Sequence, residues 1–457
     1  MKRNYIIRAV LGLVLSATAY SCNKELEITP RQNITSETAL STPDDVQNAL
    51  VGGYALMGTG ALYGTNLVFL PDLYAGNSYL DWLGTFNTYR DVSTKTLTAT
   101  NGEANRTWIA AYRAINISNT VIGALNIVTD PDAKKRIEGE ALFIRALMHF
   151  ELVRLYALPY EAGGANAQLG VPLVTTPIKS TADVQESLPR STVAQVYAQV
   201  EADLKVAVAQ LPVSNNRRAT TYSALAFLSR VYLQEQKYAE ARDAANAVIE
   251  SGAFSLSATL EGPFRTKNSS EGIFEIQQDA QTNAGTANDG LATFYASLPG
   301  IGRADARVNA AYAASLDPAD KRRTEMIYTG SGARPGLFTK KWTDFFGNIP
   351  LARITEMYLT RAETNARLGT AIGDSPANDI NKIRVRAGLS PLVSPTVDQI
   401  LIEREKELAY EGFRLHDYKR TRRSLGTLPY NAPSLVFPIP DREIAANPGL
   451  VQNPGYQ

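Results

Sequence analysis

Cysteine is nearly absent from this chain: Cys22 is the only one in 457 residues, and His149 and His416 are the only histidines. One thiol cannot form an internal disulfide, and one cysteine with two histidines cannot build a Cys/His metal cage. No cofactor or metal is therefore expected. A strong charge of either sign is also missing. Removing residues 1–22 takes away three of the 46 basic residues and none of the 45 acidic ones, leaving a formal charge of −2. A near-neutral net charge argues against nucleic acid as a partner, since binding a phosphate backbone needs a basic face. After the first 21 residues no stretch approaches the ~18 apolar residues of a membrane-spanning helix. The Lys-Ser/Thr of a phosphate loop is missing from the glycine-rich stretches "GGYALMG", "GTGALYG" and "GSGARPG", and no "GxSxG" nucleophile elbow occurs.

What is present begins at the N-terminus. Lys2, Arg3 and Arg8 precede an uncharged run, Ala9 to Ser21, of about 13 residues centred on "VLGLVL". That is too short to cross a ~30 Å hydrocarbon core and has the pattern of a secretory signal. Ala19 and Ser21 stand ahead of Cys22, with the bulkier Tyr20 between them, so Cys22 falls where a lipoprotein signal places its acylated cysteine. An ordinary signal peptide with an incidental cysteine is the competing reading. A thioether-linked diacylglycerol plus an N-acyl chain exceeds the two-chain requirement for stable anchoring. Cys22 is thus expected to be a lipid attachment point holding the protein to a membrane, with residues 1–21 removed.

Helical periodicity dominates the remainder. In "STPDDVQNALVGGYALM", Thr42 is placed to cap, Pro43 opens the helix, and Asp44 and Asp45 fill the first turn. Val46, Leu50, Gly53, Tyr54 and Met57 then share a face. Trp108, Tyr112, Ile115, Asn119 and Ile122 form a second stripe, and further helices are expected over roughly 133–156 and from Thr192 to Leu211, where Pro212 stops the run. Residues 219–250 read as a helical hairpin around "QEQK". Small residues Ala226, Ser229, Ala241 and Ala245 let the two helices approach, at spacings similar to a tetratricopeptide repeat. A second hairpin is expected at "ARITEMYLTRAETNARLG" with "SPANDINKIRVRAG", and a helix over 397–412 closes the array. Between these blocks, residues 60–105, 252–345 and 413–457 read as irregular, with one strand at "GIFEIQQ". Long irregular segments rich in aromatics, such as the run Phe69, Tyr74, Tyr79, Trp82, Phe86, Tyr89, are functional more often than disordered.

The run 404–420, "REKELAYEGFRLHDYKR", is dense in carboxylates. A glycosidase would need two carboxylates ~5–9.5 Å apart with one pKa raised. Here each acid has a basic neighbour, with Arg404–Glu407 and Glu411–Arg414 at i,i+3 spacing. A structural ion network is expected rather than catalysis. His149 and His416 read as core histidines, and Trp342 as core with ligand contact as the alternative.

Several stretches in order resemble the RagB/SusD family of Bacteroidetes outer-membrane lipoproteins over nearly the whole chain. They are "EALFIRALMHFELVRLYALPY", "PRSTVAQVYAQVEADLKVAVAQLP", "NSSEGIFEIQQ", the 404–420 run and the ending "FPIPDREIAANPGLVQNPGY". "NKELE" after Cys22 resembles the export tags of such surface lipoproteins. The resemblance implies a mostly α fold, a tetratricopeptide-like scaffold of helical hairpins with irregular loops and short strands forming a ligand face. It implies an N-terminal region over 22–230 and a C-terminal region over 231–457 that carries inserted ligand-face loops. It also implies a non-catalytic, surface-exposed outer-membrane protein that binds oligosaccharide and delivers it to a SusC-like TonB-dependent transporter. A helical-repeat scaffold for protein or peptide partners is the alternative. The expected ligand site is the loop 77–91. Asn77, Asp81 and Arg90 would bond sugar hydroxyls there, while Tyr79, Trp82 or Tyr89 stacks on an apolar sugar face.

Overall fold

The computed structural model describes residues 40–76, 78–179, 183 and 187–456. Cys22, the leader before it and Asn77 lie outside these residues.

The helices begin where the capping signals stand. Helix α1 spans Pro43–Met57, with Thr42 and Asp45 forming a reciprocal capping box and Val46, Leu50, Gly53 and Met57 buried along one face. Helix α2 (Asn66–Tyr74) is buried at every position. Strand β1 (Leu80–Trp82) and helix α3 (Asn87–Thr94) follow it. Helix α4 (Gly102–Gly123) is capped by Asn101 and buries Trp108, Ile115 and Asn119. Helix α5 (Pro131–Tyr156) is buried almost without a break from Ile137 onward. A helix enclosed on all sides must pair its polar residues internally. Arg145 forks onto Asp203 at 2.7 and 2.8 Å, and the ring of His149 bonds the Arg145 carbonyl at 3.1 Å.

Helix α6 spans Val193–Gln210, capped by Thr192. The expected hairpin is α7 (Thr221–Gln234) with α8 (Tyr238–Glu250). Ala226, Ser229, Ala241 and Ala245 are fully buried between neighbours, and the Ser229 hydroxyl donates to the Ala241 carbonyl at 3.0 Å. The second hairpin is α9 (Ile354–Leu368) with α10 (Pro376–Arg386). From α4 through α8 each helix packs on the next, and α9 packs on α8, so the hairpins form a continuous stack. The protein is mostly helical, as the periodicity implies. One hydrophobic core cluster runs from Val46 to Leu450, and the expected boundary at 230/231 falls inside α7.

The stretches read as irregular hold more structure than expected. Strand β2 (Gly272–Ile276) lies in "GIFEIQQ" and pairs antiparallel with a later strand, Ile349–Arg353. Between them come β3 (Ala306–Val308), β4 (Ile327–Thr329) and β5 (Leu337–Thr339), which join β1 in a sheet of order β1-β3-β5-β4.

The closing helix is shorter than expected. Helix α11 spans Val397–Glu407, and a separate α12 covers Arg414–Arg420. Between them Tyr410 and Gly412 have positive φ, +66° and +83°. The Gly412 N–H donates to Asp72 Oδ2 at 2.7 Å, and a Cβ at Gly412 would lie 2.9 Å from the Val68 carbonyl oxygen. Close docking onto α2 demands glycine there and ends the helix.

The ion network of 404–420 forms, but not through the i,i+3 pairs. Arg404 pairs with Asp417 at 2.9 Å, Glu407 with Arg386 at 2.7 Å, and Glu411 with Lys341 and Arg353 at 2.6 and 2.7 Å. The broken helix turns Glu411 away from Arg414, which pairs with Glu405 instead. His149, His416 and Trp342 are all buried, the last donating its indole N–H to the Tyr410 carbonyl at 2.7 Å.

Candidate functional site: an aromatic and arginine-rich loop

The loop after α2 is set by its pairing with β3. Leu80 stands opposite Val308, Asp81 opposite Arg307, and Trp82 opposite Ala306. Cross-strand partners share a face, so Asp81 receives hydrogen bonds from Arg307 at 3.2 Å and Asn309 at 2.9 Å. Successive strand residues alternate sides. Trp82 packs into a group of rings, with centroids 6.0 Å from Phe69, 5.2 Å from Tyr89 and 5.9 Å from Phe294. No single helix face could gather these rings. The chain does so by folding α2, β1, α3 and the one-turn helix Leu291–Tyr295 against each other.

The expected site residues fall into different environments. Tyr79 is 1% exposed. It stacks on Tyr410 at 4.8 Å, meets Tyr312 edge-on at 5.0 Å, lies 4.2 Å from the Arg414 guanidinium, and accepts the Tyr410 N–H at 2.5 Å. Tyr89 is 2% exposed. Its hydroxyl donates to Asn66 Oδ1 at 3.1 Å and accepts from Arg106 at 2.7 Å, while burial pushes its pKa well above the ordinary tyrosine value. Neither ring offers a free face for stacking. Asp81 and Trp82 are part-exposed, and Arg90 is exposed, donating to Asn87 Oδ1 at 3.1 Å and the Gly84 carbonyl at 3.3 Å.

Other residues complete the loop face. Phe86 keeps 38% of its surface exposed, with the Arg303 guanidinium 4.4 Å from its ring centre. Arg303 and Arg334 both ion-pair with buried Asp305, at 2.9 and 3.4 Å, and the Leu83 N–H donates to the Asp305 carbonyl at 2.6 Å. Burial raises the Asp305 pKa against the pull of the two arginines. Phe86 carried one legible signal, its place between Gly84 and Asn87 where an apolar stripe is broken. Arg303 and Arg334 carried no signal that ties them to this loop, because the loop residues they meet, Thr85, Phe86 and Leu83, lie more than 200 residues away in sequence. Elsewhere, a hollow of about 420 Å³ is lined by Tyr312, Glu405, Lys406 and Arg414, and a cleft of about 480 Å³ by Trp108, Tyr112, Val174 and Glu443.

Stacked helical hairpins carrying an aromatic, arginine-rich loop face define a class of binding scaffold. Comparison with known proteins makes that class specific. Residues 26–233 match the SusD-like family described as starch-binding and associating with the outer membrane, and residues 346–430 match the SusD family. The chain is 25% identical to SusD-like protein P2 of Formosa agariphila, over 97% of this chain and 98% of that one. It is 33% identical to the starch-binding protein SusD of Bacteroides thetaiotaomicron over 28% of this chain and 27% of that one. Among solved structures, a SusD superfamily protein from Bacteroides thetaiotaomicron is similar with TM-score 0.80 and 28% identity, covering 90% of this chain and 100% of that one. A putative sugar-binding protein from Bacteroides vulgatus gives TM-score 0.81 and 26% identity, over 92% and 100%. The chain belongs to the SusD/RagB family, a family of carbohydrate-binding proteins associated with the outer membrane. Among the described residues no helix is long and apolar enough to cross a membrane.

Proposed function

We propose that this protein captures oligosaccharide at the cell surface, held there by acyl chains on Cys22, and passes it without catalysis to a SusC-like TonB-dependent transporter. The observation that carries the reading is the pairing of Phe86, exposed and flanked by Arg303, with part-exposed Trp82, Asp81 and exposed Arg90 on one short loop. Sugars have an apolar ring face and a rim of hydroxyls, and they are held by aromatic rings beside planar polar groups. Of the expected contacts, Asp81, Trp82 and Arg90 remain the proposed ligand residues, with Asn77 beside them in sequence. Tyr79 and Tyr89 act as their support. If each of two rings removes ~80 Å² of apolar surface from water, each contributes about 2 kcal/mol and the pair about 4 kcal/mol before association costs. Millimolar affinity is therefore expected. A transporter beneath the site tolerates weak capture, because it meets the bound sugar at high local concentration.

Exposed rings beside charged groups favour this reading over a groove for protein or peptide. A hydrolase is disfavoured at 404–420. Burial acts to raise the Glu411 pKa, but Arg353 and Lys341 outweigh it and hold the carboxyl below the ordinary range, the reverse of a general acid.

Calorimetry of the soluble chain starting at Asn23 against a glycan panel tests capture. Trp82→Ala and Phe86→Ala should each weaken binding by about tenfold while the far-UV spectrum is kept. Detergent co-purification from the native host should recover a β-barrel transporter, and recovery of monomer alone, even after crosslinking in cells, would remove the delivery step. Mass spectrometry of membrane-extracted protein should find an acylated N-terminal peptide at Cys22, and a free thiol there would remove the anchor.

A further inference from the structure

Three guanidinium groups converge on four consecutive residues of the loop. Arg334 donates to the Leu83 carbonyl, Arg90 to the Gly84 carbonyl at 3.3 Å, and Arg303 to the Thr85 hydroxyl at 3.4 Å while lying 4.4 Å from the Phe86 ring centre. They arrive from three separate segments: α3, the connection leading into β3, and the turn between β4 and β5. Among the described residues, the one carboxylate paired with them is Asp305, which is wholly buried, whereas the Arg303 and Arg334 side chains keep 29% and 31% of their surface exposed. Arg90 is exposed, and among the described residues its guanidinium bonds only neutral oxygens. Nearby acids are engaged elsewhere. Asp81 holds Arg307 and Asn309, Asp91 accepts from Asn101 at 3.4 Å, and Asp289 holds Arg106. Three positive charges thus face one negative charge, and the negative one sits underneath.

A neutral sugar needs hydrogen-bond donors but no charge. Gathering like charges at a surface is unfavourable unless an anion joins them, and a guanidinium fork matches the paired oxygens of a carboxylate or sulfate. The geometry points to an anion subsite at Leu83–Phe86, where Arg90, Arg303 and Arg334 select oligosaccharides bearing carboxylate or sulfate groups over neutral ones. The sugar's apolar face lies toward Phe86, and its charged substituent lies on the guanidiniums. This inference rests on the glycan-capture reading above.

The test is an array carrying neutral oligosaccharides beside uronate-containing and sulfated ones, probed with the soluble chain from Asn23. Calorimetry of the hits with Arg90→Gln and Arg303→Gln follows. Hits should concentrate among the acidic glycans, and the two acidic sets show which anion is preferred. Affinity should fall as salt is raised from about 50 to about 500 mM, and each variant should weaken it by about tenfold. Should Arg303→Gln lose its fold with the Asp305 pair, Arg90→Gln, whose guanidinium hydrogen-bonds the Asn87 side chain and the Gly84 carbonyl, carries the test. Binding to neutral glycans alone overturns the anion subsite and leaves capture standing. Acidic hits indifferent to the folded variants do the same. Binding to no glycan overturns capture and the subsite together.

Discussion

Gly84 lies directly against the Trp82 indole: a Cβ at position 84 would sit 2.2 Å from Trp82 Cζ2 and 2.6 Å from Cη2. An indole is rigid and is backed here by Phe69, Tyr89 and Phe294. Any side chain at 84 must therefore move the ring or the loop. Gly84→Ala should shift the Trp82 fluorescence, since Trp108 and Trp342 are buried and stay fixed. It should also lower glycan affinity by about tenfold, or ~1.4 kcal/mol. Unaltered emission and affinity would show that the indole does not occupy this position.

Tyr79 was expected among the ligand contacts, and its enclosure makes a different prediction. Its hydroxyl accepts the buried Tyr410 N–H at 2.5 Å, in the turn where Tyr410 has φ +66°. Tyr79→Phe orphans that donor, at a cost of about 1–3 kcal/mol. Denaturant unfolding should show the loss while calorimetry shows unchanged glycan affinity. A variant of full stability and weakened binding would instead place the hydroxyl at the ligand.

The hairpin α7–α8 should resist overpacking. Ala245 has no exposed surface. Ala245→Trp should destabilise the protein by roughly 1–3 kcal/mol, as extra atoms force helices apart in a close-packed core. The thermal midpoint is the measurement, and an unchanged midpoint would mean that the helices do not meet at this residue.

Acid should weaken the protein through His149. Burial first, then the neighbouring Arg145 charge, pushes its pKa from 6.5 down to about 3. Between those values the unfolded chain binds a proton that the folded chain refuses. Its contribution is therefore whole above pH 6.5 and is lost progressively as pH falls toward 3. His416 is shifted the same way by burial and by Arg154. Asp72 opposes them: burial raises its pKa to about 7, so it lends stability at low pH and loses it as pH rises. Comparing wild type with His149→Gln cancels the other groups. The difference in unfolding free energy should change by up to about 1.4 kcal/mol per pH unit between pH 6 and 4. Parallel pH profiles for the two proteins would show that His149 titrates normally.

Much of the scaffold was legible in the sequence because helix signals are local. Thr42, Pro43 and Asp45 announce α1, Thr192 opens α6, and the alanines around "QEQK" mark a hairpin, all within one or two turns of chain. Capping and 3.6-residue periodicity act over that distance. The resemblance to the SusD/RagB family likewise rested on contiguous stretches. Tertiary structure decided what depends on residues far apart. Asp81 meets Arg307 because β1 pairs with β3, and the helix expected over 397–412 breaks because Gly412 docks on Asp72. It also decided which rings of one aromatic run are enclosed: Tyr79 is covered by Tyr312 and Tyr410, and Tyr89 by Phe69 and Phe294, while Phe86 stays in water beside Arg303. All three are aromatic and lie within eleven residues of each other, so nothing in their local pattern separates them. Burial is set by which distant segment arrives, and that information belongs to the packed chain.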